Sequence, residues 1–204
     1  MREDIKQADT ATTLVKCDYI KLPFLIVTQN LIIRPLIKQD KKEMMEAIRD
    51  SLSNLQMWLP WSDKRPPTNE FVTICQNFYS EMEENLAYHF VVYQNDKFMG
   101  MCSLMNVDLK SRSARLGYWC RQNSDNQDYF IEAINGLLKY ALESSTLKEI
   151  YIECIVGNYL SELTAKELHF KLQSVDLIHN KQIKLYKFDN LQSLPELQTY
   201  SVVN

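Results

Sequence analysis

An asparagine and a serine lie one turn apart at the start of a predicted helix, and their polar side chains could do chemistry there. Asn158 follows a strongly apolar segment, and Ser161 lies three positions further on. Asparagine is a favoured capping residue because its side-chain oxygen accepts a hydrogen bond from the first turn. An amide and a hydroxyl at one helix end can contact a bound molecule or can serve only to start the helix. The spacing leaves both interpretations open.

A second polar segment, Asn123–Tyr129, precedes another predicted helix, at a point where a glycine-rich phosphate-binding turn would be expected. Backbone N–H groups at a helix start attract anions, and glycine lets the backbone approach a phosphate closely. This segment has no glycine and contains Asp125 and Asp128. A carboxylate about 4 Å from a phosphate costs roughly 4 kcal/mol at an effective dielectric near 20. Either the segment opposes phosphate binding unless Arg121 compensates, or its aspartates only complement the helix dipole.

The overall composition excludes several classes of protein. The chain has 204 residues, a net charge of −3 and no lysine- or arginine-rich run, so a nucleic-acid-binding surface is not expected. Its five cysteines are scattered without a CxxC pair, which argues against a zinc cluster or a disulfide framework. No apolar run approaches the length of a membrane span, and the first residues are polar and acidic. We expect a cytoplasmic protein without metal, membrane or nucleic-acid partners.

Apolar residues that recur every three or four positions predict five helices. Asp40 can cap the first of them. In the helix after Pro66 and in the long helix after the Asn123–Tyr129 segment, the apolar residues form one buried stripe. The predicted helices run from Asp40 to about Arg49, from Leu52 to Leu59, from Pro66 through Met82, from about Asn126 to Ser144, and from Asn158 to near Leu168.

Short runs of β-branched and aromatic residues between turn signals predict seven strands, with an extra strand at Phe24–Val27 as an alternative. Gln94–Lys97 is a predicted hairpin turn, and Gly100 marks a bulge or a close approach of backbone. The last two strands form a hairpin around His179-Asn180. The seven strands are Leu31–Leu36, His89–Tyr93, Phe98–Val107, Ala114–Cys120, Glu149–Val156, Phe170–Asp176 and Ile183–Phe188.

The order of these elements predicts an α/β (mixed α+β) domain. Three antiparallel strands followed by a strand–helix–strand crossover give one mostly antiparallel seven-stranded sheet with helices on both faces. We interpret residues 1–27 as an N-terminal extension, residues 28–190 as the domain and residues 191–204 as a C-terminal tail. The oligomeric state is left open, with a homodimer as one alternative.

Five short motifs, in order and at compatible spacing, resemble those of the GNAT acetyltransferases, and most closely the RimJ/RimL group. The resemblance extends from about Thr28 to Phe188. It implies the GNAT fold and transfer of an acetyl group from acetyl-CoA to a primary amine, either a protein N-terminus or a small molecule. The motifs are Leu31-Ile-Ile-Arg-Pro-Leu36, Trp58-Leu-Pro-Trp61, Gly117-Tyr-Trp119, Asn158-x-x-Ser161 and Leu168-x-Phe170.

The resemblance also implies roles for particular residues. Acetyl-CoA is expected between the splayed fourth and fifth strands, with Ser161 as the proton donor to the departing thiolate. Asn158 would position the pantetheine, and Ala165 occupies the position where many members of the family have a tyrosine. The implied cofactor contacts are Tyr118, Trp119, Cys120, Arg121, Asn126, Gln127, Asp128, Tyr129, Asn158 and Ser161.

The acceptor side is less well specified. Trp58 and Trp61 fall where the family's early helices form a wall of the acceptor site, although tryptophans are equally at home in a core. A general base must take a proton from the amine, directly or through water. We select Glu153 for this role, with Asp108, Glu132 and His89 as alternatives.

Two hypotheses follow from the sequence. The first is an active N-acetyltransferase, favoured by Asn158, Ser161 and the tryptophan pair. The second is a degenerate GNAT-fold binding or regulatory protein with weak or no acetyl-CoA turnover, favoured by the acidic, glycine-free segment. Binding of acetyl-CoA distinguishes the two, because the second hypothesis expects little or none.

Overall fold

The backbone is organised around one β-sheet. The computed structural model describes residues 23, 25–59, 68–122, 127–144 and 147–203. Its strands are β1 (Leu25–Thr28), β2 (Ile32–Pro35), β3 (Tyr88–Gln94), β4 (Lys97–Asp108), β5 (Ser113–Cys120), β6 (Glu149–Ile155), β7 (Lys171–Ile178), β8 (Lys181–Phe188) and β9 (Tyr200–Val203). They are arranged in the order β7-β8-β6-β5-β4-β3-β2-β1-β9. Neighbours are antiparallel except for β5 and β6, which confirms the predicted mixed sheet.

Helices cover both faces of this sheet, as predicted. The described helices are α1 (Lys41–Trp58), α2 (Thr68–Glu83), α3 (Gln127–Ser144) and α4 (Tyr159–Glu167). The predicted apolar stripe of α3 is fully buried and packs with α4 on one face, together with the inward residues of every strand from β1 to β6. On the other face, α1 packs against Val91, Met101 and Trp119. The α3 stripe consists of Phe130, Ala133, Ile134, Leu137, Leu138 and Ala141.

The predicted count of seven strands is wrong, because the described residues already form a sheet of nine. The additional strands, β1 and β9, form one edge of the sheet and pair antiparallel with each other. The β1 strand confirms the alternative considered at Phe24–Val27, although it begins at Leu25. The β9 strand lies inside the segment interpreted as a tail. Four residues are too few for a period-two pattern to stand out, so this strand depends on the edge that β1 offers.

The first two predicted helices are a single helix. Separate helices were predicted from Asp40 to about Arg49 and from Leu52 to Leu59, but α1 continues without interruption for 18 residues. The reason is that Ser51 is buried, and its Oγ accepts a hydrogen bond of 2.7 Å from the backbone N–H of Gln122. The polar side chain of Ser51 therefore makes a tertiary contact with the chain just after β5.

Tight turns form where the sequence predicts them. Asn95 and Asp96 have positive φ angles of 46° and 61°, and His179 and Asn180 have φ angles of 47° and 62°. Two successive residues with positive φ are the signature of a type I′ hairpin, which matches the twist of the strands. Gly100 has φ 147°, and a Cβ there would lie 2.2 Å from the carbonyl oxygen of Trp119. Glycine is required at this position because β4 and β5 approach too closely for any side chain.

A buried histidine ties α2 to the sheet. His89 on β3 is 1% exposed, and its Nδ1 and Nε2 lie 2.8 Å from Ser103 Oγ and Glu81 Oε2 respectively. The ring of Phe78 lies against it, with centroids 4.4 Å apart. Burial is the dominant effect and lowers the pKa of His89, whereas Glu81 opposes that shift. Both ring nitrogens therefore have partners, and the residue has a structural role.

Candidate active site

The two parallel strands at the middle of the sheet separate along their length. Pairing between β5 and β6 joins Ser113–Arg115 to Glu149–Tyr151 and is not found further along in the described residues. Beyond that point β5 stays with β4 as far as Cys120, and β6 stays with β8 as far as Ile155. The result is a V-shaped gap whose closed end is at the start of both strands. Backbone groups of β5 that face this gap have no strand partner there.

Two helix starts lie at the open end of this gap. The α3 helix begins at Gln127, shortly after β5 ends, and α4 begins at Tyr159, shortly after β6 ends. A helix start presents free N–H groups and a partial positive charge, which attract anions. Asp128 is in the first turn of α3 with an exposed side chain. Asn126 and the side chain of Gln127 lie outside the described residues, whereas Tyr129 is half-buried against the α3 core.

The end of β5 divides its side chains between the two faces of the sheet, as expected for a strand. Trp119 is 8% exposed and packs under α1, with its ring centroid 6.0 Å from that of Phe98. Tyr118 and Cys120 point to the α3 face. Burial raises the pKa of the Cys120 thiol, which keeps it protonated and weakly nucleophilic. The predicted cofactor contacts Tyr118, Trp119 and Cys120 thus lie on the part of β5 that borders the gap.

Arg121 is held by α1. Its Nε donates to Asp50 Oδ2 at 3.0 Å, and its Nη2 also contacts that carboxylate. Its backbone N–H donates to the carbonyl of Met99 at 2.7 Å, which continues the pairing of β4 and β5. The guanidinium that could compensate Asp128 is thus already bound to a carboxylate of α1. This contact lies one residue before the Gln122 bond to Ser51, so both fix the chain at the exit of β5.

A cluster of three hydroxyls, which we name the hydroxyl cluster, lies where Tyr118 of β5 meets α4. Its members are Tyr118, Ser161 and Thr164. The Tyr118 oxygen is buried and has no hydrogen-bond partner of good geometry in the described structure. Burial raises the pKa of Tyr118 to about 12, while the nearby Ser161 and Thr164 hydroxyls act in the opposite direction. Tyr118 therefore stays protonated and can donate its hydrogen.

The start of α4 confirms the predicted cap. The backbone N–H of Ser161 donates to Asn158 Oδ1 at 3.3 Å, and Ser161 is half-buried. Glu162 accepts from the backbone N–H of Gly157 at 3.1 Å and from Lys184 Nζ at 2.7 Å. The ion pair with Lys184 is the main reason that the pKa of Glu162 is lowered. These bonds hold the turn after β6 against both α4 and β8, so the position of Ser161 is well defined.

Glu153 lies on the opposite face of the sheet from the hydroxyl cluster. Its neighbours Ile152 and Cys154 point into the α3 core, so Glu153 points to the α1 face. Its Oε1 is 2.6 Å from Arg115 Nη1, and its side chain is 37% exposed. Sequence reasoning did not identify Arg115, although a glutamate and an arginine on adjacent predicted strands were a usable signal.

The three alternative bases have other partners. Asp108 accepts from the backbone N–H groups of Lys110 and Ser111, which closes the β4–β5 turn. The Ser111 hydroxyl is the main reason that the pKa of Asp108 is lowered, and these two N–H groups act in the same direction. Glu132 accepts two hydrogen bonds from Asn30, of 2.9 and 2.8 Å. His89 is buried as described above. Among the four candidates, Glu153 is the one on a strand that borders the gap.

The two tryptophans are less informative. Trp58 is half-buried and is the last residue of α1, while Trp61 lies outside the described residues. Thr164 was missed by the sequence analysis, although its spacing of three from Ser161 places both on one side of α4. Its hydroxyl donates to the carbonyl of Leu160 at 2.9 Å.

A separate surface groove of about 890 Å³ lies on the outer side of α4. None of the predicted cofactor contacts lines it, so we do not assign it to the same site. Within the described residues, no three metal-ligating side chains come together and no helix is long and apolar enough to cross a membrane. The groove is lined in part by Tyr159, Leu163, Lys166, His169, Phe170 and Leu172.

The sequence model of the family described as Acetyltransferase (GNAT) domain matches residues 30–171, well over half of the chain. The chain belongs to this family. A similar curated protein is the ribosomal-protein-serine acetyltransferase of Escherichia coli (strain K12). It is 23% identical over 154 residues, which cover 72% of this GNAT chain and 82% of the relative.

Solved structures agree on the fold. RimL, a ribosomal L7/L12 alpha-N-protein acetyltransferase in complex with coenzyme A, matches with a TM-score of 0.74 at 16% identity. That match covers 81% of this chain and 97% of RimL. RimJ of Mycobacterium smegmatis, in complex with CoA-disulfide, also matches with a TM-score of 0.74 at 16% identity, over 88% of this chain and 92% of RimJ. At such identities the structures establish the GNAT fold alone.

This GNAT protein therefore transfers an acetyl group from acetyl-CoA to a primary amine, and the alternative of a degenerate binding protein is not favoured. The geometry fits the cosubstrate. In the part of the chain that the structure describes, the open gap between β5 and β6 has unpaired backbone on its β5 side, a helix start at its mouth and a buried hydroxyl without a partner. An extended chain of amides that ends in an anionic group complements each of these features.

Proposed function

We propose that this GNAT protein acetylates the α-amine at the N-terminus of a protein, with Ser161 as the acid and Glu153 as the base. The observation that carries the proposal is the placement of these two residues on opposite faces of the β5–β6 gap. Glu153 lies on the α1 face and Ser161 on the α3 face. An acceptor amine that enters from the α1 face meets the base first, and the leaving thiol departs toward the acid.

The chemistry requires three proton transfers, one of which is the loss to water of the second proton of the attacking nitrogen, which carries a positive charge once it has bonded to the thioester carbon. Glu153 accepts a proton from the ammonium, directly or through one water, so that the neutral nitrogen can attack the thioester carbonyl. When the carbon–sulfur bond breaks, the thiolate accepts the proton of the Ser161 hydroxyl. Asn158 fixes the first turn of α4 and with it the position of Ser161. Arg115 holds the Glu153 carboxylate at the edge of the gap.

The acceptor class is supported by the relatives. The E. coli relative is named for acetylation of a ribosomal-protein serine, and RimL for an α-N-protein activity. The acceptor is therefore assigned as a protein with a free N-terminal serine.

Peptide acetylation followed by mass spectrometry tests the acceptor. A serine-initiated peptide is expected to gain one acetyl group on its α-amine. The matched control is the same peptide with a blocked N-terminus and an internal lysine, and it is expected to remain unmodified. Acetylation of the blocked peptide, or of polyamines in preference to both, would contradict the assignment.

Paired variants test the two residues. Glu153→Gln is expected to lower kcat about 100-fold, as for loss of a general base, while Glu149→Gln keeps near wild-type activity. Glu149 lies on the same strand and face, at the closed end, with Lys187 as its partner. Ser161→Ala is expected to lower kcat by a similar factor, with Ser174→Ala on β7 as its control. Equal losses within either pair would remove the assigned role.

A further inference from the structure

The Tyr118 hydroxyl has a feature that a residue used only for packing would not need. The ring is well packed against the α3 core, but the oxygen is buried without a partner of good geometry in the described structure. Burying a hydroxyl without a hydrogen bond is unfavourable, so phenylalanine would serve the packing better. The oxygen lies beside the start of α4, next to Ser161 and Thr164. The Tyr200 hydroxyl is buried in the same way, so the position of Tyr118 beside Ser161 at the gap is what relates its hydroxyl to the loaded state of the site.

The two neighbouring hydroxyls are not equivalent as partners. Thr164 donates its hydrogen to the carbonyl of Leu160 and so can only accept from Tyr118. Ser161 binds the Asn158 cap through its backbone N–H and not through its side chain. Its hydroxyl is therefore available to accept a hydrogen bond from Tyr118 and to donate its own hydrogen elsewhere. A hydroxyl that accepts one hydrogen bond directs its own hydrogen away from that donor. If Tyr118 donates to Ser161, the Ser161 hydrogen is directed away from β5.

We infer that Tyr118 is a positioning residue, whose O–H donates to Ser161 Oγ and directs the Ser161 hydrogen toward the departing sulfur. This inference rests on the proposed role of Ser161. The balance of the step is simple: the Ser161 O–H bond breaks, a sulfur–hydrogen bond forms, and the resulting alkoxide keeps the hydrogen bond from Tyr118. Tyr118 retains its proton throughout. Ser161 regains a proton from water once the products have left.

The variant Tyr118→Phe tests this inference, because it removes one oxygen and keeps the ring. It is expected to lower kcat about tenfold and to leave the KM for acetyl-CoA within about twofold, since the hydrogen bond acts on proton transfer rather than on binding. The matched control is Tyr200→Phe. Tyr200 on β9 also has a buried hydroxyl without a partner of good geometry in the described residues, but at the other edge of the sheet. The control is expected to retain wild-type kcat.

A second measurement separates positioning from a general structural effect. In a Ser161→Ala background, Tyr118→Phe is expected to cause no further loss of kcat, because its only assigned action is through Ser161. The effect of Tyr118→Phe is also expected to shrink with an acetyl thioester of a more acidic thiol, such as 4-nitrothiophenyl acetate. Such a leaving group needs less help from an acid.

The outcomes separate the two proposals. Full kcat in Tyr118→Phe, or an undiminished loss in the Ser161→Ala background, overturns the positioning role while the proposed function stands. A loss in Tyr200→Phe equal to that in Tyr118→Phe also overturns it. Failure of the wild-type protein to transfer acetyl from acetyl-CoA to any α-amine removes the proposed function, and the role of Tyr118 with it.

Discussion

The closed and open ends of the β5–β6 junction are built in opposite ways. At the closed end, Ala114 and Ile150 face each other in register, and both are fully buried in the α3 core. At the open end β5 pairs only with β4 and β6 pairs only with β8 in the described residues, and the buried hydroxyl of Tyr118 lies beside the gap. One end is closed by apolar packing, whereas the other is kept apart by β4 and β8.

This difference explains how a continuous sheet can hold a ligand between two of its strands. Neither strand of the open end lacks backbone support, because each has a complete antiparallel neighbour on its outer side. The gap is therefore held in place from both of its outer sides. It exposes one row of polar backbone groups on each side, which an extended ligand can satisfy.

The largest expected effect comes from the contact that holds β5 to β4 at the open end. Gly100→Ala is expected to lower the free energy of unfolding by more than about 3 kcal/mol, because the new methyl overlaps the Trp119 carbonyl in a backbone with positive φ. Gly157→Ala is the control, with positive φ but no atom within 4 Å, and should cost about 1 kcal/mol. Denaturant unfolding measures both. Equal losses would mean that the close approach does not matter.

The next effect compares the two ends of one strand. Ile150→Ala at the closed end is expected to cost about 3 kcal/mol of unfolding free energy, because it leaves a cavity in a dry core. Ile155→Ala at the open end should cost less than about 1.5 kcal/mol, since that side chain is already half-exposed. Chemical denaturation of both variants checks the difference. A larger loss at Ile155 would contradict the account of an open gap.

The acidic first turn of α3 gives a smaller effect, on binding. Asp128→Asn is expected to tighten acetyl-CoA binding up to about tenfold at low salt, because it removes a negative charge near the cosubstrate phosphates. The gain should shrink with added salt, since Asp128 is exposed. Isothermal titration measures it, with Asp176→Asn on β7 as the control. No gain at low salt would show that Asp128 faces away from the phosphates.

The smallest effect concerns a buried polar group that has its partners, unlike Tyr118. Burial lowers the pKa of His89 from its ordinary 6.5, so folding favours the neutral ring. This stability is present above pH 6.5 and is lost as the pH falls below it, by at most about 1.4 kcal/mol per pH unit. The attraction of Glu81 reduces the slope. In His89→Asn, the decrease in unfolding free energy between pH 6.5 and 5.5 should disappear when denaturation curves are measured at both pH values. If the variant loses as much unfolding free energy as the wild type over this range, the pH dependence comes from carboxylates.

Local features of the chain were predictable. Asn158 as a cap, the two hairpin turns with positive φ and the buried stripe of α3 each depend on residues within a few positions of one another. Gly100 was predicted to mark a bulge or a close backbone approach, and the structure has the close approach to Trp119, with a register shift between β3 and β4 beside it. The order of these elements, together with the five short motifs, resembled that of the GNAT family.

Contacts between distant segments were not predictable. Ser51 lies between the two helices that the sequence predicted but binds Gln122 from inside the single helix α1, and the short β9 exists because β1 presents an open edge. The four candidate bases looked alike in sequence. Their burial and partners separated them, since Asp108, Glu132 and His89 each have structural contacts.

The sequence by itself determined most of the elements and their buried faces, because periodicity and turn chemistry are local, and its five short motifs carried the resemblance to the family. The tertiary structure decided where β5 and β6 part, and it decided that Tyr118 meets Ser161 while Glu153 lies on the other face. Those facts depend on which strand each segment of the chain pairs with in the sheet. That choice is made by packing energies summed across the whole sheet, which no short stretch of sequence contains.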